Sequence, residues 1–258
     1  MNTLKVIKIG GNIIDNDQLL SAFLSQFAQL DGPKILVHGG GKLASKLAEQ
    51  MQVPVQMHDG RRITDAETLD IITMVYAGKI NKNIIAQLQS EQCNAIGFSG
   101  ADGNTISSEK RPVKTIDFGF VGDITSVNTD SLEILLNNNI TPVFCAITHD
   151  SHGQLLNTNA DTIASALAIG FAEKYRTELY YCFEKNGVLE DVNDEHSVIE
   201  LITTKSYQSL LDKGIIAEGM LPKLTNCFNA IQHKVSSVYI GKPEMLFQSN
   251  SIYTTIKK

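Results

Sequence analysis

The stretch Lys5-Val6-Ile7-Lys8-Ile9-Gly10-Gly11-Asn12 decides how the chain is read. It is a short apolar run enriched in Val and Ile, which favours a strand over a helix. Two glycines close it, and there the backbone can turn sharply and approach a ligand with no side chain in the way. Alternation places Lys8 on the face shared by Leu4 and Val6. In an open parallel sheet the carboxyl ends of the strands face the ligand crevice. Lys8 is then a fixed cation at the crevice lip, beside exposed backbone N–H groups, a setting that suits a phosphate. The same residues also describe a solvated lysine before an ordinary turn, so the decision passes to the rest of the chain.

Downstream, Leu19, Leu20, Phe23, Leu24, Phe27 and Leu30 recur at helical spacing until Asp31-Gly32-Pro33 stops them. Ile35-Leu36-Val37 forms a second short strand, followed by His38-Gly39-Gly40-Gly41 and a helix with Leu43, Ala44, Leu47 and Ala48 on one face. Strand, helix, strand, glycine loop, helix implies a parallel sheet with both glycine turns at the same edge. Gly39-x-Gly41-x-x-Ala44 with Asp59 downstream resembles a dinucleotide fingerprint, which keeps a nicotinamide-dependent oxidoreductase open. The match sits on the second strand, however, and Pro54 interrupts the next one. It is not a Walker loop, because Lys42 is followed by Leu43 rather than Ser or Thr.

Arg62 precedes a helix expected over residues 66–90 and capped by Thr64 or Asp65, a suitable place for a bidentate carboxylate clamp. A strand over 95–100 leads into a polar excursion. An irregular strand over 117–123, a helix over 129–136 and a fourth main strand over 141–147 follow. Asn159 is a natural cap for a helix over 160–170, with Asp161 in its first turn. There Asp161 serves the helix dipole or faces lysines across the crevice. The last third reads as a strand over 178–183, a turn, a helix over 206–211, a helix ending near 233 and a strand over 235–240. The tail over 249–258 is polar and short. A soft boundary near 171 divides the chain into lobes 1–170 and 171–258.

Composition narrows the function classes. The 258 residues are enough for a full core in one large α/β domain or two lobes sharing a sheet. The net charge of −6 without a basic run argues against a nucleic-acid surface. Cys93, Cys145, Cys182 and Cys227 are widely spaced and form no Cys-x-x-Cys, against both a zinc site and a disulfide scaffold. No signal-peptide pattern and no membrane-length apolar run is present, so a cytoplasmic protein without membrane contact is expected.

Six stretches together resemble the amino-acid kinase family, within it most closely the members that phosphorylate an N-acylated glutamate. They are Val6-Ile7-Lys8-Ile9-Gly10-Gly11, Val37-His38-Gly39-Gly40-Gly41, Asp59-Gly60-Arg61-Arg62-Ile63-Thr64, Phe118-Gly119-Phe120-Val121-Gly122, Asn157-Thr158-Asn159-Ala160-Asp161 and Gly219-Met220-Leu221-Pro222-Lys223. They run in family order over almost the whole chain. The resemblance implies a three-layer αβα sandwich with a mainly parallel sheet. Lobe 1–170 would bind the acylglutamate and form a homodimer; lobe 171–258 would bind ATP with Mg²⁺. Lys8 and Lys223 match the lysines that stabilise the transferring phosphoryl group, and Asp161 the carboxylate that organises them. Gly11 and Gly40 match loop amides near the phosphoryl oxygens. Gly40, Gly41, Arg62 and Asn157 match substrate-binding positions. Glu184, Lys185, Asn186, Gly187, Val188, Leu189, Ile215, Ile216 and Ala217 match the nucleotide-binding segments.

The implied reaction makes an acyl phosphate from the γ-carboxylate, a step of arginine biosynthesis. The acyl group is acetyl or a larger one such as succinyl. No general base is required, because a carboxylate of ordinary pKa, about 4.3, is already ionised at neutral pH; His38 is explained as a packed residue at the strand end. Glu184-Lys185 stands where the family usually has Asp-Val, which keeps a non-catalytic sensor of the same fold open, and Ala217 replaces a small polar residue common in the nucleotide loop. Arginine-sensitive family members carry an extra amino-terminal helix that links dimers into a ring. The first strand here begins near Leu4, so a dimer insensitive to arginine is expected.

Overall fold

The computed structural model describes residues 2–212 and 220–258. The opening run is the strand β1 (Thr3–Ile9), followed by a single helical turn α1 (Gly11–Ile14) and by α2 (Asp17–Ala28), whose first N–H groups are capped by the Asn16 side chain. β2 (Lys34–His38) is buried along its length, as suits a parallel strand covered on both faces. Then come α3 (Gly41–Gln50) and a hairpin of β3 (Gln56–His58) and β4 (Arg61–Ile63), turned at Asp59-Gly60. Asp65 caps α4 (Ala66–Thr73), which runs through a π-helical segment, Met74–Ile80, into α5 (Asn81–Ser90). The expected helix over 66–90 is therefore continuous but widened in its middle.

β5 (Ala95–Phe98), β6 (Ile106–Lys110), β7 (Gly122–Val127), α6 (Thr129–Asn137), β8 (Thr141–Phe144), β9 (Ile147–His149) and β10 (Leu155–Asn157) complete the first part. α7 (Ala160–Phe171), β11 (Arg176–Cys182), β12 (Leu201–Thr203), α8 (Thr204–Asp212), α9 (Leu221–Gln232), β13 (Ser237–Gly241) and β14 (Thr254–Lys257) complete the second. One eight-stranded sheet runs β12-β14-β13-β11-β1-β2-β8-β5, and among its pairs β13 with β14 is antiparallel while the others are parallel. A smaller sheet orders β10-β9-β6-β7 beside it. α7 packs on β1, β11 and α9, with α6 next to it; α5 packs on β5 and β8 with α2 beside it. This is the three-layer αβα sandwich with a mainly parallel sheet.

Three local expectations are corrected. The run over 141–147 is not one strand: it breaks after Phe144 and continues as β9 in the smaller sheet. The irregular strand expected at 117–123 lies mostly before the regular one, which starts at Gly122. The short polar tail carries a strand that the sequence reading did not include: β14 inserts between β12 and β13 with Thr254 and Ile256 buried.

Register levels the ends of the three central strands. Ile9 pairs with Cys182 on one side and with His38 on the other. Gly10, Gly39 and Phe183 therefore line one edge of the sheet. β1 continues in sequence to β2 on one side, while its other neighbour, β11, arrives much later, and a crevice opens at such a switch of direction.

Candidate active site

Lys8 leaves the end of β1 and Lys223 the first turn of α9, and both reach Asp161 in the first turn of α7. Lys8 Nζ lies 2.8 Å from Asp161 Oδ1, as an ion pair off the hydrogen-bond line, and Lys223 Nζ lies 3.5 Å from Oδ2. All three side chains are largely buried, at 14%, 17% and 18% exposure for Lys8, Lys223 and Asp161. Burial pushes the Asp161 carboxyl up, but the ammonium groups of Lys8 and Lys223 outweigh it and hold it below the usual carboxylate range. The backbone of Asp161 is fixed from both sides. Its N–H donates to Asn159 Oδ1 at 2.8 Å, and its carbonyl accepts the Tyr181 hydroxyl at 3.0 Å. Lys223 is steered by aromatic faces, with Nζ 5.0 Å from the Phe183 ring and 5.5 Å from the Tyr181 ring.

The two glycine turns flank this triad. Gly11 opens α1, and Gly40 caps α3 at a φ of 154° that an L side chain rarely adopts. A Cβ at Gly40 would run into Ile80 Cδ1 and press on the Tyr76 ring. Both residues belong to the π-helical segment, which thus floors the loop. The Gly40 N–H donates to no group among the described residues.

On the other flank, Arg62 on β4 donates from Nη2 to the Gly41 carbonyl at 3.0 Å and to Ser45 Oγ at 2.7 Å. Its Nη1 is buried without a hydrogen-bond partner. A buried guanidinium N–H left open next to a glycine loop is what a carboxylate clamp offers before its ligand arrives. Asn157, at the end of β10, donates from Nδ2 to Thr64 Oγ1 at 3.0 Å. Thr64 in turn exchanges backbone bonds with Phe118 and Phe120, so the hairpin, the 118–120 segment and β10 are tied together.

The segment Glu184 to Leu189 follows β11 at the same sheet edge. Lys185 pairs with Glu195 at 3.4 Å, and Asn186 Nδ2 donates to the Glu195 carbonyl at 3.1 Å. Gly187 fits tightly under Thr254, and Val188 and Leu189 are buried, the Val188 N–H donating to Thr254 Oγ1. Ile215, Ile216 and Ala217 lie outside the described residues, as does Gly219 of the last motif. The dinucleotide fingerprint fails on geometry: Asp59, its acidic partner, occupies the exposed tip of the hairpin with its side chain 85% exposed.

Several site residues escaped the reading of the chain, namely Ser45, Tyr76, Ile80, Tyr181 and Phe183, and Thr64 was read only as a helix cap. For three of them a signal exists. Ser45 stands one helical turn after Gly41, and Tyr181 and Phe183 alternate onto one face. Beside the hairpin is a cavity of about 420 Å³ lined by His58, Arg61, Arg111, Lys114, Phe118 and Asp123. Arg111 is forked onto Asp123, whereas Arg61 and Lys114 make no hydrogen bond or ion pair among the described residues.

Comparison with known proteins gives the family. The model of the amino acid kinase family matches residues 3–242. The chain belongs to the amino acid kinase family. The acetylglutamate kinase of Cytophaga hutchinsonii is 54% identical over 249 residues, covering 96% of this chain and 94% of that protein. The acetylglutamate kinase of Phocaeicola vulgatus is 49% identical, covering 99% and 98%. Among solved structures, an N-acetylglutamate synthase from Neisseria gonorrhoeae superposes with a TM-score of 0.81 at 20% identity, over all of this chain and 59% of that protein, a likeness of fold. Among the described residues no helix is long and apolar enough to cross a membrane.

Proposed function

We propose that this amino acid kinase transfers the γ-phosphoryl group of ATP to the γ-carboxylate of N-acetyl-L-glutamate, in arginine biosynthesis. The observation that carries the reading is the convergence of Lys8 and Lys223 on Asp161 at 2.8 and 3.5 Å, between the turns at Gly11 and Gly40. A carboxylate approaching a polyphosphate meets like charge, and charge spreads over the phosphoryl oxygens in a loose transition state. Lys8 and Lys223 neutralise that charge, and the Gly11 and Gly40 amides donate to the same oxygens. Asp161 stays ionised and keeps both ammonium groups from collapsing onto the phosphates of the ground state. Arg62 takes a substrate carboxylate through the open Nη1, supported by Asn157 and the backbone at Gly40 and Gly41.

The lobe over 171–258 holds the nucleotide against residues 184–189 and 215–217, and the lobe over 1–170 holds the acylglutamate and forms a homodimer in the cytoplasm. Asp161 is already engaged by two lysines, so Mg²⁺ fits best on phosphate oxygens and water rather than in a protein cage. When bound it neutralises β- and γ-phosphate charge. A coupled assay should show ADP release that depends on N-acetyl-L-glutamate. ATP binding without turnover would favour a sensor.

One observation favours a variant of this reading. The cations Arg61 and Lys114 beside the substrate hairpin suit an acyl group that carries its own carboxylate, such as succinyl. Specificity constants for acetyl- and succinyl-glutamate decide between them. Acetyl is expected to be preferred, and a large preference for succinyl would replace it.

A further inference from the structure

His38 ends β2 with no exposed surface, and the residues around it settle which ring nitrogen carries the proton. Asn81, itself buried, is the first residue of α5, directly after the π-helical segment. Its Nδ2 donates to the Val143 carbonyl at 3.0 Å, and its Oδ1 accepts from Lys82 Nζ at 3.3 Å. A carbonyl only accepts and an ammonium only donates, so the orientation of the Asn81 amide is fixed by its partners. The second N–H of Nδ2 points at His38 Nε2, 3.1 Å away. Nε2 must then be the bare nitrogen, and Nδ1 carries the hydrogen. Nδ1 lies 2.8 Å from the Gly39 carbonyl oxygen and donates to it. Burial, with the Lys82 charge nearby, lowers the imidazole pKa to about 4, so the ring is neutral at physiological pH.

The consequence follows from the peptide plane. In a trans peptide the C=O and the next N–H point in opposite directions, and no peptide bond among the described residues is cis. Turning the Gly39 carbonyl back to the ring sends the Gly40 N–H outward, away from His38. The space for this arrangement is cleared on purpose at two glycines. A Cβ at Gly97 on β5 would overlap Asn81 Oδ1, and a Cβ at Gly40 would overlap Ile80. Ile80 and Asn81 are consecutive, so the widened turn before them sets two supports at once: one under Gly40 and one on His38. An extra residue in a helical turn shifts the phase of all that follows, and here the shifted phase delivers Asn81 to the imidazole.

We infer that His38, locked by Asn81 as the Nδ1–H tautomer, is a positioning residue that aims the Gly40 N–H at the transferring phosphoryl group. This rests on the kinase reading above. It gives His38 no proton to move and no contact with substrate.

The test separates the two ring nitrogens. Asn at position 38 reproduces the donor at Nδ1 and loses the acceptor at Nε2; Gln reproduces the Nε2 position and loses the donor. His38→Gln should lower kcat by about 10²-fold, the loss that follows removal of one oxyanion-type donor, with both Michaelis constants within about threefold. His38→Asn should keep kcat within about fivefold. Equal losses in the two variants, or losses confined to the Michaelis constants, would overturn the proposal. Nitrogen-15 spectra of the wild-type imidazoles, with the His38 signal assigned by its disappearance in His38→Asn, should show a protonated Nδ1 and a bare Nε2 at pH 7. A protonated Nε2 would overturn it independently of any activity. A wild-type protein with the expected tautomer but no turnover would instead count against the kinase reading alone.

Discussion

Lys8 and Lys223, from the first strand and from a helix near the other end of the chain, share the carboxylate of Asp161. Neither lysine is held by a neighbour in sequence. Each is held by a buried anion on a third element, whose own backbone is pinned by Asn159 and Tyr181. The arrangement stores two cations at fixed distance in a site where removing one partner leaves the remainder uncompensated.

Lys8→Ala should therefore reduce kcat by about 10²-fold or more, as for loss of a transition-state contact, while ATP affinity measured by calorimetry changes much less. Near-normal turnover would remove Lys8 from the mechanism.

Arg62→Lys keeps the charge and loses the fork. Because Nη2 is already occupied by Gly41 and Ser45, the open Nη1 is what the substrate gains. Steady-state kinetics should show a higher Michaelis constant for the acylglutamate and an almost unchanged one for ATP. An equal rise in both would make the residue structural.

Gly40→Ala tests the floor of the loop. The added Cβ meets Ile80 and Tyr76 at a φ an L residue rarely adopts. Urea unfolding should report a loss of roughly 1–3 kcal/mol, and turnover should fall further than stability alone explains. An unchanged midpoint would mean that the loop rearranges freely.

His38 also makes stability depend on pH with a definite sign. Its pKa is about 4 in the fold against an ordinary 6.5. Between those values the unfolded chain binds a proton that the native state refuses, so stability rises with pH across that window. The contribution, roughly 3 kcal/mol, is fully present above 6.5 and lost as pH falls to 4. Unfolding curves for wild type and His38→Asn between pH 4.5 and 7 should diverge, the wild type being the steeper. Parallel slopes would show that His38 does not titrate this way.

Much of the fold was legible because local patterns agree with it: short Val- and Ile-rich runs, glycine turns at their ends, and helical spacing between. What was not legible depends on distant partners. β14 is four residues of ordinary polarity, and only its place between β12 and β13 makes it a strand. The apolar run over 141–147 contains nothing that marks the switch to the smaller sheet. The π-helical segment keeps apolar spacing close to that of a helix over seven residues, so its widened turn is invisible until Tyr76, Ile80 and Asn81 are seen under the glycine loop. At the site, Lys8, Asp161 and Lys223 were nameable from their motifs. Their supports were not named, since the only signal of Tyr181, Phe183 and Ser45 is strand alternation and helical spacing, which ordinary core residues share.

Trapping the product distinguishes a carboxylate acceptor from any other. Wild-type protein with ATP, Mg²⁺ and N-acetyl-L-glutamate is incubated with hydroxylamine, which converts an acyl phosphate to a hydroxamate. Hydroxamate is expected in an amount equal to the ADP released, and neither is expected without the acylglutamate. ADP without hydroxamate, or ATP bound with neither product, would contradict the proposed reaction.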